Sequence, residues 1–158
     1  MVTMKMRALL VVGMVGMVGM VGCEDRRDAE YSSEQAFVAK EVKALRDALA
    51  RRDIPGVVVG CVVATTGLER APAPLGDEIK QLCFVDAPRL YLEHAVADAT
   101  RGHAEHPELA DLHCTQLFVS DAFETLAAHP TSDPEIRKLI AAYARLCPAV
   151  VAKLRRDT

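Results

Sequence analysis

The chain lacks most of the signatures by which an enzyme or a nucleic-acid-binding protein announces itself. It has no basic excess, since 19 Lys and Arg stand against 22 Asp and Glu, so no nucleic-acid partner is expected. It has no tryptophan, and aromatic residues make up only 4% of it. No C-x-x-C or C-x-x-C-H occurs, which removes the signature of thioredoxin-like, zinc-ribbon and covalent-haem chemistry. There is no H-E-x-x-H, no G-x-S-x-G around Ser120 or around Thr65, Thr66 and Thr115, and no glycine-rich phosphate loop. Disorder is excluded by the opposite measure, because 51% of the residues are apolar. At 158 residues the chain makes one domain of ordinary size.

What is present begins with an address. Lys5 and Arg7 precede an uncharged apolar run from Ala8 to Val21, the pattern of a secretion signal. As a helix that run reaches roughly 21 Å, short of the roughly 30 Å hydrocarbon core, and Gly13, Gly16 and Gly19 weaken it further. A permanent membrane span is therefore the poorer reading. The run closes on Met20-Val21-Gly22-Cys23, which resembles the bacterial lipobox, with Met20 where that pattern usually carries Leu. The resemblance covers the leader alone. It implies a bacterial lipoprotein cut before Cys23, with a diacylglyceryl thioether on the Cys23 sulfur and an added acyl chain such as palmitate, enough for stable anchoring.

On this reading residues 1–22 are a signal peptide, residues 23–33 a lipidated cysteine and polar tether, and residues 34–158 a helical domain. Removing residues 1–22 takes away Lys5 and Arg7 and no acid, so the formal charge moves from -3 to -5. Glu24, Asp25, Arg26, Arg27, Asp28, Glu30, Ser32 and Ser33 keep the domain off the bilayer.

Beyond the tether the apolar spacing is helical. Val38, Val42, Leu45 and Leu49 predict an amphipathic helix from Ser33, as N-cap, to Arg52, with Asp53 and Pro55 ending or restarting it. A second helix opens at Gly76 or Asp77 and runs to about Thr100, with a kink or break at Pro88. A third spans Leu109 to Ala128. The fourth starts from Ser132 or Asp133 and runs to Leu154, with Pro148 discordant in its interior. Ile54 to Gly67, with Val57, Val58, Val59, Val62 and Val63, is strand-like by propensity. No second strand-like run exists to pair with it, so a short buried helix or irregular apolar segment is expected. The fold class is all-α, a small bundle of about four helices arranged as two disulfide-stapled hairpins.

With Cys23 lipidated, Cys61, Cys83, Cys114 and Cys147 remain, an even number in an exported, oxidising setting. Three pairings are possible, and geometry ranks them. The midpoint of Cys114 and Cys147 falls at residues 130 and 131, in the turn His129-Pro130-Thr131, and that of Cys61 and Cys83 at Pro72, in the connector Glu69 to Leu75. Antiparallel neighbours would bring each pair level, predicting Cys61–Cys83 and Cys114–Cys147.

Four histidines lie close in sequence, His94, His103, His106 and His113. His103, His106 and His113 are the candidate ligands for zinc or copper, against the plainer expectation of solvated residues in a loop marked by Gly102 and Pro107. Asp98, Glu105, Glu108, Asp111, Asp121 and Glu124 hold no identifiable acid/base pair, and no catalytic residue is assigned. The functional expectation is a membrane-anchored, extracytoplasmic binding or structural protein of the cell envelope, with no enzymatic activity and no cofactor. Its partners are the membrane, through Cys23, and an envelope protein. The alternatives are a metal-binding protein or metalloenzyme built on the histidines, and a carrier of a small apolar ligand held among Phe118, Phe123 and Tyr143.

Overall fold

A computed structural model describes residues 33, 35–114 and 117–157. The expected signal peptide, Cys23 and the tether up to residue 32 lie outside the described residues. Two compact units divide the chain, Met1–Val38 and Ala39–Thr158. In the first, residues 35–38 are helical, and Ser33, expected as an N-cap, is itself helical. All else below concerns the second.

Every regular element among the described residues is helical, and no strand occurs among them. In this second unit the first helix, α1, covers residues 39–51. Its end is a left-handed cap: Arg52 stands at φ 57°, its N–H donating to the Leu49 carbonyl at 3.0 Å and that of Asp53 to Ala48 at 3.0 Å. The valine-rich stretch is helix α2, Ile54–Thr66, opened by Asp53, whose carboxylate accepts from the Gly56 N–H at 3.2 Å.

A helix so rich in β-branched residues owes its stability to tertiary packing, and the contact is made through glycine. A Cβ at Gly60 would stand 3.1 Å from Leu45 Cδ1 and 3.2 Å from Leu45 Cβ, so the missing side chain lets α2 lie directly on α1. Leu45, Val42 and Ala48 of α1 and Ile54, Val57 and Ala64 of α2 are buried.

The chain then turns through a 3₁₀ segment, Leu68–Arg70, into α3, Ala73–Gln81, a few residues ahead of the predicted start. Pro88 acts where a break was expected. It has no N–H to donate, and the backbone widens into a π turn at Leu82–Asp86 before helix α4, Ala87–Glu105. α4 extends past the expected Thr100. It is the central element, burying Leu90, Tyr91, Leu92, Ala95 and Ala99 and packing against α6, Leu117–Ala128, and α7, Pro134–Leu146.

Two predicted helices are each divided in two. The span Leu109 to Ala128 comprises a 3₁₀ segment, Pro107–Leu109, a single turn α5, Ala110–His113, and α6, with Cys114 in a turn after α5. The last span stops at Leu146 and resumes as α8, Pro148–Asp157. Pro148 is the cause, since proline excludes its predecessor from the helical region, and Cys147 stands at φ -130°, ψ 57°.

Cys61 is joined to Cys83 and Cys114 to Cys147, with Cα–Cα distances of 5.4 and 5.5 Å. These are the pairs read from the midpoints. Only Cys61 lies inside an α-helix; Cys83 is in the π turn, and the second bridge ties the turn after α5 to the α7–α8 junction. Two disulfides in one small domain belong to an oxidising, extracytoplasmic environment.

Candidate functional site

The histidines diverge. His94 on α4 places Nδ1 3.2 Å from the Asp98 carboxylate. His106, at the end of α4, turns to Glu108 at 3.4 Å and is more than half exposed. His103 and His113 instead gather at Gly102 and Cys114. His103 Nε2 lies 4.0 Å from Cys114 Sγ. The His113 ring lies on the backbone of Gly102, where a Cβ would come within 2.1 Å of its Cγ. Its Nε2 is buried without a hydrogen-bond partner. Among the described residues no three His, Cys, Asp or Glu side chains stand where they could hold a metal ion. The neighbours of His103 and His113 are thus a disulfide and a glycine, and His106 is directed elsewhere. Sequence proximity misleads here because α4 continues through His103 and sets His103 and His106 at its last turn, before the chain reverses to bring His113 back.

Of the three aromatics proposed to hold an apolar ligand, Phe123 and Tyr143 are buried in the core and Phe118 is half-buried. Tyr143 is fully buried and donates its hydroxyl to the Cys114 carbonyl at 2.5 Å, giving a partner to a group left open by the break between α5 and α6. Burial pushes the Tyr143 phenol up to about 12. Tyr91, whose ring centroid is 6.0 Å from that of Phe118, is likewise pushed up to about 12 by burial and then by the charge of Asp121. Among the acids considered from sequence, Asp121 is raised above the usual carboxylate range by burial and then by Glu124.

A shallow open depression with space for about 340 Å³ lies between the end of α1 and the π turn with α4. Leu49, Leu82 and Leu90 floor it, and Arg46, Arg52, Asp86, Arg89 and Glu93 line its sides. Each arginine is held by a carboxylate: Arg46 by Glu78, Arg52 by Glu93 at 2.9 Å, and Arg89 by Asp133 at 2.5 Å and Asp86 at 3.7 Å. The Asp133 carboxyl is lowered from its ordinary value first by the Glu135 backbone N–H; burial opposes this, and the Arg89 guanidinium and the Ile136 N–H add to the lowering. Asp133 therefore both caps α7 and fixes one wall of the depression. Arg52 occupies a left-handed position that glycine fills at lower cost, so this rim of the depression carries local backbone strain. The sequence marks none of these arginines, because they come together only through the packing of α1 on α4.

A second surface is the outer side of α2. It carries Pro55, Val59, Val62 and Thr66 at spacings of four, three and four, all facing solvent. The expectation that this segment is buried holds for one side of the helix only.

Comparison of the chain with protein-family models, with curated proteins and with solved structures returns no match.

Proposed function

We propose that this chain is an exported bacterial lipoprotein that acts as a binding or structural protein of the cell envelope. Residues 1–22 direct export, Cys23 carries the lipid, residues 23–33 form the tether, and residues 34–158 form the working domain on the periplasmic or cell-surface side of a membrane. Its helices work as two hairpins, one stapled by each disulfide.

The pairing of four of the five cysteines carries this proposal. Once Cys61, Cys83, Cys114 and Cys147 are joined, the one cysteine left is Cys23, at the end of a leader whose run from Ala8 to Val21 is uncharged and directly behind Val21 and Gly22. The arginine-rimmed depression and the uncharged side of α2 support a role in contact with other molecules.

Feeding cells an alkyne-tagged palmitate tests the anchor. The tag is expected on the wild-type chain in the membrane fraction and absent from Cys23→Ser, which keeps its uncleaved leader. Equal labelling of the two chains, or a wild-type chain released into the soluble fraction without label, overturns the proposal.

A further inference from the structure

We infer that the outer side of α2 rests in the headgroup layer of the bilayer that holds Cys23, an inference that stands on the lipid anchor proposed above. From Ile54 to Thr66 the helix has no charged residue. Folding uses one side of it, where Ile54, Val57 and Ala64 are buried and Gly60 meets Leu45. On the other side Val59 and Val62 are 64% and 62% exposed, with Val58 and Val63 half-buried beside them. Adjacent outward valines on an uncharged helix form a patch, unlike the single exposed apolar residues that every surface carries.

Length, tether and charge identify the occupant as lipid. α2 has 13 residues and is about 20 Å long, too short to cross a hydrocarbon core of about 30 Å. No described helix is long and apolar enough to cross a membrane, so α2 would lie flat on the surface. Residues 24–38 reach at most about 55 Å even when fully extended, which confines the domain close to its own bilayer. Confinement supplies a high effective concentration, so a patch far smaller than the roughly 800 Å² per partner of a stable protein interface is sufficient.

The charges agree. Arg51 and Arg52 precede the helix and Arg70 follows it. The acids nearest in sequence are Glu69 and Asp53, the latter engaged in capping Gly56, and Glu93 faces Arg52. A chain of net charge -3, and -5 without its leader, thus carries basic residues on both flanks of α2, which among the described helices is the one without a charged residue. Arg51, exposed at the amino-terminal end of the helix, is placed to reach lipid phosphates while the valines enter the acyl boundary.

The absence of tryptophan makes the test direct. Val62→Trp introduces a single fluorophore on this side, Val59→Trp a second reporter, and Ala141→Trp a control on the exposed side of α7. Each full chain is purified in its membrane-anchored form and placed in vesicles of phosphatidylglycerol and phosphatidylcholine with brominated acyl chains. Blue-shifted emission is expected at 62 and 59, quenched more by shallow than by deep bromines, with water-like, unquenched emission at 141. The acylated mass of the same sample reads the anchor independently. An acylated chain whose Val62→Trp and Val59→Trp spectra match Ala141→Trp overturns the inference and leaves the anchor standing. A blue shift that grows with protein concentration without bromine quenching assigns the face to a second copy and also overturns it. Absence of acyl mass on Cys23 overturns both.

Discussion

The two disulfides close loops of comparable length, with separations of 22 and 33 residues, but they join regions built by different rules. Around Cys114–Cys147 each element has a local reason for its limits. Asp133 caps α7 through the Glu135 and Ile136 N–H groups, Pro148 ends it at Leu146, and Tyr143 supplies the hydrogen bond that the broken chain at Cys114 needs. Around Cys61–Cys83 the long helix is apolar on all sides and meets α1 by backbone approach at Gly60, with its outward valines in no described contact that folding requires. The contrast teaches where to look for work beyond folding. Around Cys114–Cys147 the exposed apolar side chains are Leu109 and Leu112, beside the charged Glu108, whereas around Cys61–Cys83 Val59 and Val62 stand outward on a helix with no charged residue at all.

Opening the bridges breaks this comparison most severely. Loop entropy alone assigns about 4 kcal/mol to Cys114–Cys147 and about 3.5 kcal/mol to Cys61–Cys83. The Cys114→Ala/Cys147→Ala chain is expected to lose more than that small difference relative to Cys61→Ala/Cys83→Ala, because the buried Tyr143 hydrogen bond depends on the position of Cys114. Urea midpoints of the two chains measure it.

Alkali separates the regions next. Tyr91 and Tyr143, whose phenols are raised to about 12, both serve the α4–α6–α7 core. The folded state keeps their protons longer than the unfolded chain does. Their contribution is therefore complete below pH of about 10 and declines as pH rises toward about 12, by about 2 to 3 kcal/mol for each. Stability curves from pH 8 to 12 should fall for the wild type and fall by about half as much in Tyr91→Phe, where only Tyr143 still titrates.

Gly60→Leu tests the other region, where the added side chain meets Leu45. A loss of about 1 to 3 kcal/mol in chemical unfolding is expected. Smallest is Val62→Ser, on the outward side of the same helix, expected to change stability by less than about 0.5 kcal/mol. A large loss there would mean that the outer valines serve the fold after all.

Much of this architecture was legible in the chain. Helical periodicity, the restart at Asp53 and Pro55 and the Asp133 start are local signals, and the cysteine midpoints suffice to pair the sulfurs once the chain reverses between them. The divided helices were legible in part, since Pro88 and Pro148 were visible as discordant; the break at Cys114 was not, because no proline or glycine marks it and Tyr143, 29 residues away, satisfies it. For α2 the absence of a partner strand excluded a sheet, but only the approach of Leu45 to Gly60 tells which side of the valine helix is spare. The depression was illegible for the same reason, since Arg46, Arg52 and Arg89 converge through tertiary packing. The histidine cluster shows the converse: residues close in sequence diverge when a helix end sends one to a carboxylate and another to a disulfide.

Peptide mapping of the membrane-extracted chain without reduction, read by mass spectrometry, tests the central claim most directly. The account predicts an amino-terminal peptide that begins at an acylated Cys23, together with cross-linked peptides joining Cys61 to Cys83 and Cys114 to Cys147. An unmodified Cys23, an intact leader, or a cross-link between Cys23 and any other cysteine would contradict it.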